Sequence, residues 1–252
     1  MLQLDVQDQV ARITMCNPPI NALTRPWAER FFELLDELQA RNDWRVLHLR
    51  SSEKIFCAGG DIKQYAGRLS RDDAGDLLAA EAAFYQQLFA RIAALPQVTL
   101  CEIGGVAAGG GMELALAFDL RIAAQTTKLG CPECGLGLLA AGGGTQRLTK
   151  QLGPAMALRL LGMAELISGS EAYDIGLVQW AVPAAEIAEK SAAIARRLAG
   201  QPPEALLAAK ACVRAAIDPG RDGFALELTY PPQLMRTPGT QSRIREFLER
   251  QK

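Results

Sequence analysis

Two glutamates, Glu113 and Glu133, each stand in a run of small and apolar residues. A carboxyl group taken out of water without a partner is costly, and its pKa rises toward the range useful for proton transfer. The pair is therefore a candidate acid–base couple. The plainer alternatives are a first-turn carboxylate complementing a helix dipole for Glu113 and a buried hydrogen-bond acceptor for Glu133. Glu113 follows Gly109-Gly110-Gly111-Met112, where glycines lead directly into a helical run. The first N–H groups of a helix have no internal acceptor, so a glycine-rich start is a candidate site for a phosphate or a transient oxyanion. A second glycine turn, Phe56-Cys57-Ala58-Gly59-Gly60-Asp61-Ile62-Lys63, follows a strand pattern. Adjacent glycines there permit close approach of another group to the backbone, or simply a tight turn.

Several other chemistries are excluded. His48 is the only histidine, which excludes a two-histidine metal motif, and its place on an apolar strand reads as a core or rim histidine rather than the base of a triad. No metal site is expected. The six cysteines are scattered, as in a chain with reduced thiols. Cys131-Pro132-Glu133-Cys134 is a C-x-x-C without the second pair that zinc would need. Gly135-x-Gly137-x-x-Ala140 matches a dinucleotide fingerprint but follows no clear strand in a βαβ unit. Lys plus Arg number 27 against 28 Asp plus Glu, so no basic excess points to nucleic acid. The N-terminus MLQLDVQDQV lacks a basic, then apolar, leader pattern, and no charge-free apolar run approaches a membrane span. The expected compartment is the cytoplasm.

The elements that must hold these residues fall into two patterns. From Met1 to about Gln125, strands and helices alternate: a hairpin over Leu2 to Val6 and Val10 to Met15, helices over Trp27 to Leu38 and Leu78 to Leu95, and strands at Val46 to Leu49, Val98 to Ile103 and Asp119 to Ala124. From about Thr145 the pattern is almost entirely helical. Ser168-x-x-Glu171 is a capping-box signature, and Gly176 marks the stop of that helix. Further helices are expected over Ala184 to Leu198, Pro203 to Ala216, Phe224 to Tyr230 (stopped by Pro231-Pro232) and Gln241 to Gln251. The division is a core over 1–195 and a C-terminal helical region over 196–252.

In order and spacing, Pro19-Ile20-Asn21-Ala22-Leu23, Phe56 to Asp61, Gly105 to Glu113, Phe118 to Ala123, Pro132-Glu133 and Gly143-Gly144-Thr145-Gln146-Arg147-Leu148 resemble the crotonase (enoyl-CoA hydratase/isomerase) superfamily over essentially the whole chain. The resemblance implies an α/β spiral of ββα repeats with a C-terminal helical region used for assembly into a homotrimer or a dimer of trimers. It implies an acyl-CoA substrate, with coenzyme A part of the substrate and no separate cofactor. By motif position, the backbone N–H groups of Gly60 and Gly110 would form an oxyanion hole for a thioester carbonyl. Glu113 and Glu133 would serve water addition across an enoyl double bond. Ala58, Asp61 and Ile62 would lie along the bound substrate. Lys63 is either a solvated charge or a contact to coenzyme A phosphates, and Arg250 would approach a neighbouring subunit's nucleotide. Tyr65, Phe84 and Leu88 are candidates for an acyl pocket and equally for core. Double-bond isomerisation, decarboxylation and C–C cleavage of another acyl-CoA remain open, as does a non-enzymatic RNA-binding member. Ala140-Ala141, Cys131, Asn17-Pro18-Pro19 and Ser242-Arg243 depart from the usual pattern and bear on substrate range.

Overall fold

The computed structural model describes residues 1–62, 66, 67 and 69–250. Strands β1 (Leu2–Gln7) and β2 (Val10–Met15) form the expected hairpin. Its turn is Asp8-Gln9, both at positive φ, the backbone hand that matches strand twist in a two-residue connection. Helix α1 (Arg25–Gln39) starts at Thr24, whose side chain accepts the Trp27 N–H. It buries Trp27, Ala28, Phe31, Leu34, Leu35 and Leu38, one stripe at helical spacing.

Strand β3 (Val46–Ser51), helix α2 (Ala74–Ala94) and strand β4 (Val98–Ile103) follow. Then come β5 (Ala107–Ala108), α3 (Gly110–Leu116), β6 (Leu120–Ala124) and β7 (Lys128–Gly130). The remaining elements are α4 (Gly144–Leu152), α5 (Pro154–Gly162), β8 (Ile167–Ser168), α6 (Gly169–Asp174), β9 (Trp180–Val182), α7 (Ile187–Ala199) and α8 (Pro203–Ala215). Short helices α9 (Gly223–Glu227) and α10 (Pro231–Leu234) precede α11 (Pro238–Glu249). No helix of the described residues is long and apolar enough to cross a membrane.

The main sheet has the order β1-β2-β3-β4-β6-β9, parallel from β2 onward. A second sheet has the order β5-β7-β8. Parallel strands carry side chains alternately to two covered faces. Leu47, Leu49, Cys101 and Ile103 join the large cluster that holds the α1 stripe, while Val46, Leu100 and Ile122 pack with Ile187, Ala195 and Ala199 of α7. His48 lies on the α7 side, buried, with Nε2 3.2 Å from Glu102 Oε2. Glu102 also accepts from Ser191 Oγ of α7 at 2.5 Å. His48 is thus a core side chain.

The 195/196 boundary falls inside α7, and α8 beyond it is fastened to the sheet: Lys210 Nζ donates to Asp119 Oδ2 at 2.5 Å and to Gln97 O at 2.6 Å. The same Asp119 oxygen accepts from Thr99 N at 2.8 Å and Thr99 Oγ1 at 3.0 Å. The region after Thr145 is almost entirely helical as expected, broken among the described residues by the short strands β8 and β9; β9 gains its ladder by pairing with Ile122 to Ala124. Pro231-Pro232 open α10 rather than ending a longer helix, because the first turn needs no N–H from them. The capping box at Ser168 and Glu171 is present as expected.

Helix α3 is seated on backbone. A Cβ at Gly111 would fall 2.1 Å from Cys57 O and 2.7 Å from Cys57 C, and no side chain can give way there. Gly111→Ala is expected to lower stability by about 1–3 kcal/mol, the usual cost of overpacking, read as a lower urea midpoint at unchanged slope. A wild-type midpoint would show that α3 does not rest on that carbonyl.

Candidate active site

The first glycine turn is held by Asn21. Its Nδ2 donates to Ser51 Oγ (2.8 Å), Phe56 O (3.0 Å) and Ile55 O (3.2 Å), and its Oδ1 accepts the Asn17 N–H at 2.8 Å. Asn21 is fully buried at φ 48°, a conformation asparagine tolerates better than most side chains. The turn is then laced to its neighbours through the backbone. Ala58 N donates to Ile20 O, Leu23 N to Gly59 O, Cys57 N to Val106 O and Ala108 N to Cys57 O, all between 2.9 and 3.1 Å.

These bonds press the two glycine turns together. Gly59 has φ +85°, and a Cβ on it would fall 2.9 Å from Gly110 N and 3.0 Å from Ala108 O. Among the described residues, neither the Gly60 nor the Gly110 N–H has an acceptor. Both residues line one cavity of about 420 Å³. Two free donors on adjacent backbone segments can stabilise an oxyanion developing between them.

Both glutamates reach this cavity. Glu113, on the first turn of α3, is buried, and its Oε1 accepts the Gly144 N–H at 2.8 Å. The turn that supplies this bond approaches closely because it is glycine: a Cβ on Gly142 would fall 2.6 Å from Glu113 Oε2, and one on Gly144 would fall 3.0 Å from Oε1. Burial raises the Glu113 pKa to about 7. The Gly144 N–H and the Arg147 cation oppose that rise, and Glu133 adds to it.

Glu133 lies on a 3₁₀ turn, Pro132–Leu136, just after β7. Its Oε1 would be 2.9 Å from a Cβ on Gly109, which explains glycine at the α3 N-cap. Its Oε2 is buried without a hydrogen-bond partner among the described residues. Burial pushes its pKa up as well. Two carboxyls of raised proton affinity beside two free N–H donors can move protons at a carbon next to a polarised carbonyl.

The rest of the wall is mostly apolar: Leu78, Ala79, Ala82, Tyr85 and Phe89 from α2, which also contributes Glu81, together with Leu136, Leu138 and Leu139. Of the residues read as acyl pocket or equally as core, Phe84 and Leu88 fall to the core. Phe84 packs on Phe32 and under Arg25, and Leu88 is core, while Tyr85 and Phe89 line the cavity. Tyr65 lies outside the described residues, as does Lys63. Ala58 and Ile62 line the cavity, Ile62 at an exposed position. Asp61 is exposed and is not on the wall. Arg250 is the exposed C-cap of α11 and does not reach the cavity within this chain. Cys131 is buried beside the glutamates and Cys134 is exposed; all six cysteines are free. The glycine and glutamate spacing singled out four residues that share one cavity, Gly60, Gly110, Glu113 and Glu133, but it carried no signal for Asn21 as the fastening of the first turn.

A family model described as enoyl-CoA hydratase/isomerase matches residues 5–252. A Bacillus subtilis protein named probable enoyl-CoA hydratase is 40% identical over 206 residues, spanning 81% of this chain and 78% of its own. The human mitochondrial enoyl-CoA hydratase domain-containing protein 2 is 38% identical over 229 residues, spanning 86% of this chain and 75% of its own. A crystal structure of an enoyl-CoA hydratase from Geobacillus kaustophilus superposes with a TM-score of 0.90 at 30% identity, covering 99% of this chain and 94% of that one.

The raised carboxyl has a thermodynamic signature. Between the ordinary value of 4.5 and about 7, folded Glu113 holds a proton that the unfolded chain releases. Stability therefore falls as pH rises through that window, and Glu133 contributes with the same sign. Glu113→Gln keeps the acceptor for Gly144 and removes the charge. Its melting temperature is expected to exceed wild type at about pH 8, with the gap closing toward about pH 5. A gap independent of pH would show that Glu113 does not titrate there.

Proposed function

The chain belongs to the enoyl-CoA hydratase/isomerase family and has the crotonase fold, and from that premise we propose that it is an enoyl-CoA hydratase adding water reversibly to a 2-enoyl-CoA thioester. One observation carries the proposal: two buried carboxyls, both with raised proton affinity, share a cavity with the unpaired N–H groups of Gly60 and Gly110. The thioester oxygen would accept from both N–H groups, drawing charge from the double bond onto oxygen. One glutamate, as carboxylate, takes a proton from water as the oxygen attacks Cβ. The other, as carboxylic acid, delivers a proton to Cα, and the carbonyl reforms. Coenzyme A is part of the substrate, and the reaction draws on no separate cofactor. The α2 wall, apolar except for Glu81 and the Tyr85 hydroxyl, suits a largely apolar acyl chain. Free cysteines fit a reducing compartment, for which the cytoplasm is proposed.

A panel of acyl-CoA thioesters followed by mass spectrometry is expected to show gain of water with an enoyl thioester. Isomerisation or loss of carbon dioxide as the main outcome would replace hydration. Glu113→Gln and Glu133→Gln should each lower kcat by about 10²–10⁴ while substrate still binds. One severe variant and one mild variant would favour a single-carboxylate isomerase. Near-wild-type turnover in both would overturn the two-glutamate mechanism.

Assembly as a homotrimer or a dimer of trimers is part of the same proposal. Its support is the apolar surface on the C-terminal helices: Phe224, Leu228, Ile244, Phe247 and Leu248 are all exposed in the single chain. Light scattering is expected to give a multiple of three subunits. A stable monomer at micromolar concentration would remove both the assembly and a nucleotide contact by Arg250 across subunits.

A further inference from the structure

Arg147 does not line the cavity, yet it touches the turn that carries the hydrogen-bond donor of Glu113. It lies on α4, half-buried. Its Nη1 donates to Gly142 O at 3.2 Å. A Cβ on Gly143, where φ is +113°, would fall 2.1 Å from the same nitrogen, so the guanidinium rests against bare backbone. One residue further on, the Gly144 N–H donates to Glu113 Oε1. The cation thus grips one end of a three-glycine turn whose other end grips the carboxyl.

The groups facing Glu113 come from four elements. Its own helix presents the backbone at Gly110, the 3₁₀ turn presents Glu133, α4 and the turn before it present Arg147 and Gly144, and α2 presents the ring of Phe89 near Gly142. Cys131, buried nearby, is held as a neutral thiol. Burial and Glu133 favour the protonated acid; the Gly144 N–H and Arg147 favour the carboxylate. Arg147 is the cation in this balance.

We infer that Arg147 is a positioning residue that, through the Gly142–Gly144 turn, holds the Glu113 carboxyl in place and sets the pH at which it releases its proton. The inference rests on the proposed role of Glu113 in proton transfer. A group poised near neutrality can both give and take a proton within one turnover. Without the cation, Glu113 would remain a protonated acid over more of the working range. Without the fork, the turn would lose its anchor at Gly142.

The test separates charge from anchoring. Glu113 protonation is followed by its infrared carboxyl band in the free protein, with the Glu113→Gln spectrum subtracted. Arg147→Met is expected to raise the midpoint by about one pH unit, at the low end of what an adjacent opposite charge supplies. Arg147→Lys, which keeps the charge, should recover most of that shift. If Arg147→Met does not fold, Arg147→Gln keeps a donor for Gly142 without the charge and should show the same rise. With an active substrate, the limb of the kcat profile that belongs to Glu113 should move by the same amount while KM changes little. A midpoint that stays at the wild-type value in a folded neutral variant, with kcat lowered uniformly across pH, makes Arg147 a purely structural side chain and overturns the inference. The infrared titration uses no substrate, so failure of the hydratase proposal would appear as absent turnover with the midpoint shift intact.

Discussion

The site depends on one contact of backbone with backbone, where the turn around Cys57 to Gly60 meets the start of α3. Cys57 exchanges hydrogen bonds with Val106 and Ala108, its carbonyl lies where a side chain of Gly111 would be, and Gly59 packs on the Gly110 nitrogen. Peptide groups are rigid, so this contact fixes the two free N–H groups relative to each other without help from any rotamer. Asn21 secures the outer side of the same contact with three donated bonds. The parallel sheet matters to the site chiefly because β3 and β4 deliver these two turns at one end.

The second constraint is electrostatic. Glu113 and Glu133 are carboxyls in a place that disfavours charge, and Glu133 adds to the rise at Glu113. A hydrophobic pair would fold more readily here. That the glycines at 109, 142 and 144 make room for these two side chains shows how far the backbone is shaped around them. Stability surrendered at a reactive site is a common pattern, and it is recovered elsewhere. In this chain the recovery lies in the large core built on α1 and in the Lys210–Asp119 pair that binds α8 to the sheet.

Much of this was legible in the sequence. A side chain at Gly59, Gly109 or Gly144 would crowd the Gly110 nitrogen, Glu133 or Glu113 respectively, so the spacing of glycines against the two glutamates outlined where these groups meet. Long elements with a clear period, such as α1 and the β1–β2 hairpin, were equally plain. The short strands β5, β8 and β9 were not, because two or three residues have no period and exist only through their partners. Whether Phe84 and Leu88 border a pocket or the core is open in the sequence for a related reason. On α2 the apolar residues are too numerous to define a single face, and only packing against α1 decides that Leu88 turns inward while Tyr85 and Phe89 border the cavity. Arg147 was quoted as part of a motif, but nothing local reveals that its guanidinium reaches back to Gly142. The C-terminal helix α11 starts earlier than its apolar pattern because Thr237 caps it and Pro238 opens it.

The cavity is made of two kinds of material. One end is main chain: peptide nitrogens and glycine Cα atoms, with two carboxyls inserted between them. The far wall is side chain: Leu78, Ala79, Glu81 and Ala82 of α2 and Leu136, Leu138 and Leu139. Side chains can be exchanged by point mutation, while a peptide group cannot. Point substitution can therefore reshape the far wall one residue of α2 at a time, while the peptide nitrogens and glycine Cα atoms of the near end keep their places. The two ends of the cavity differ in what a single mutation can change.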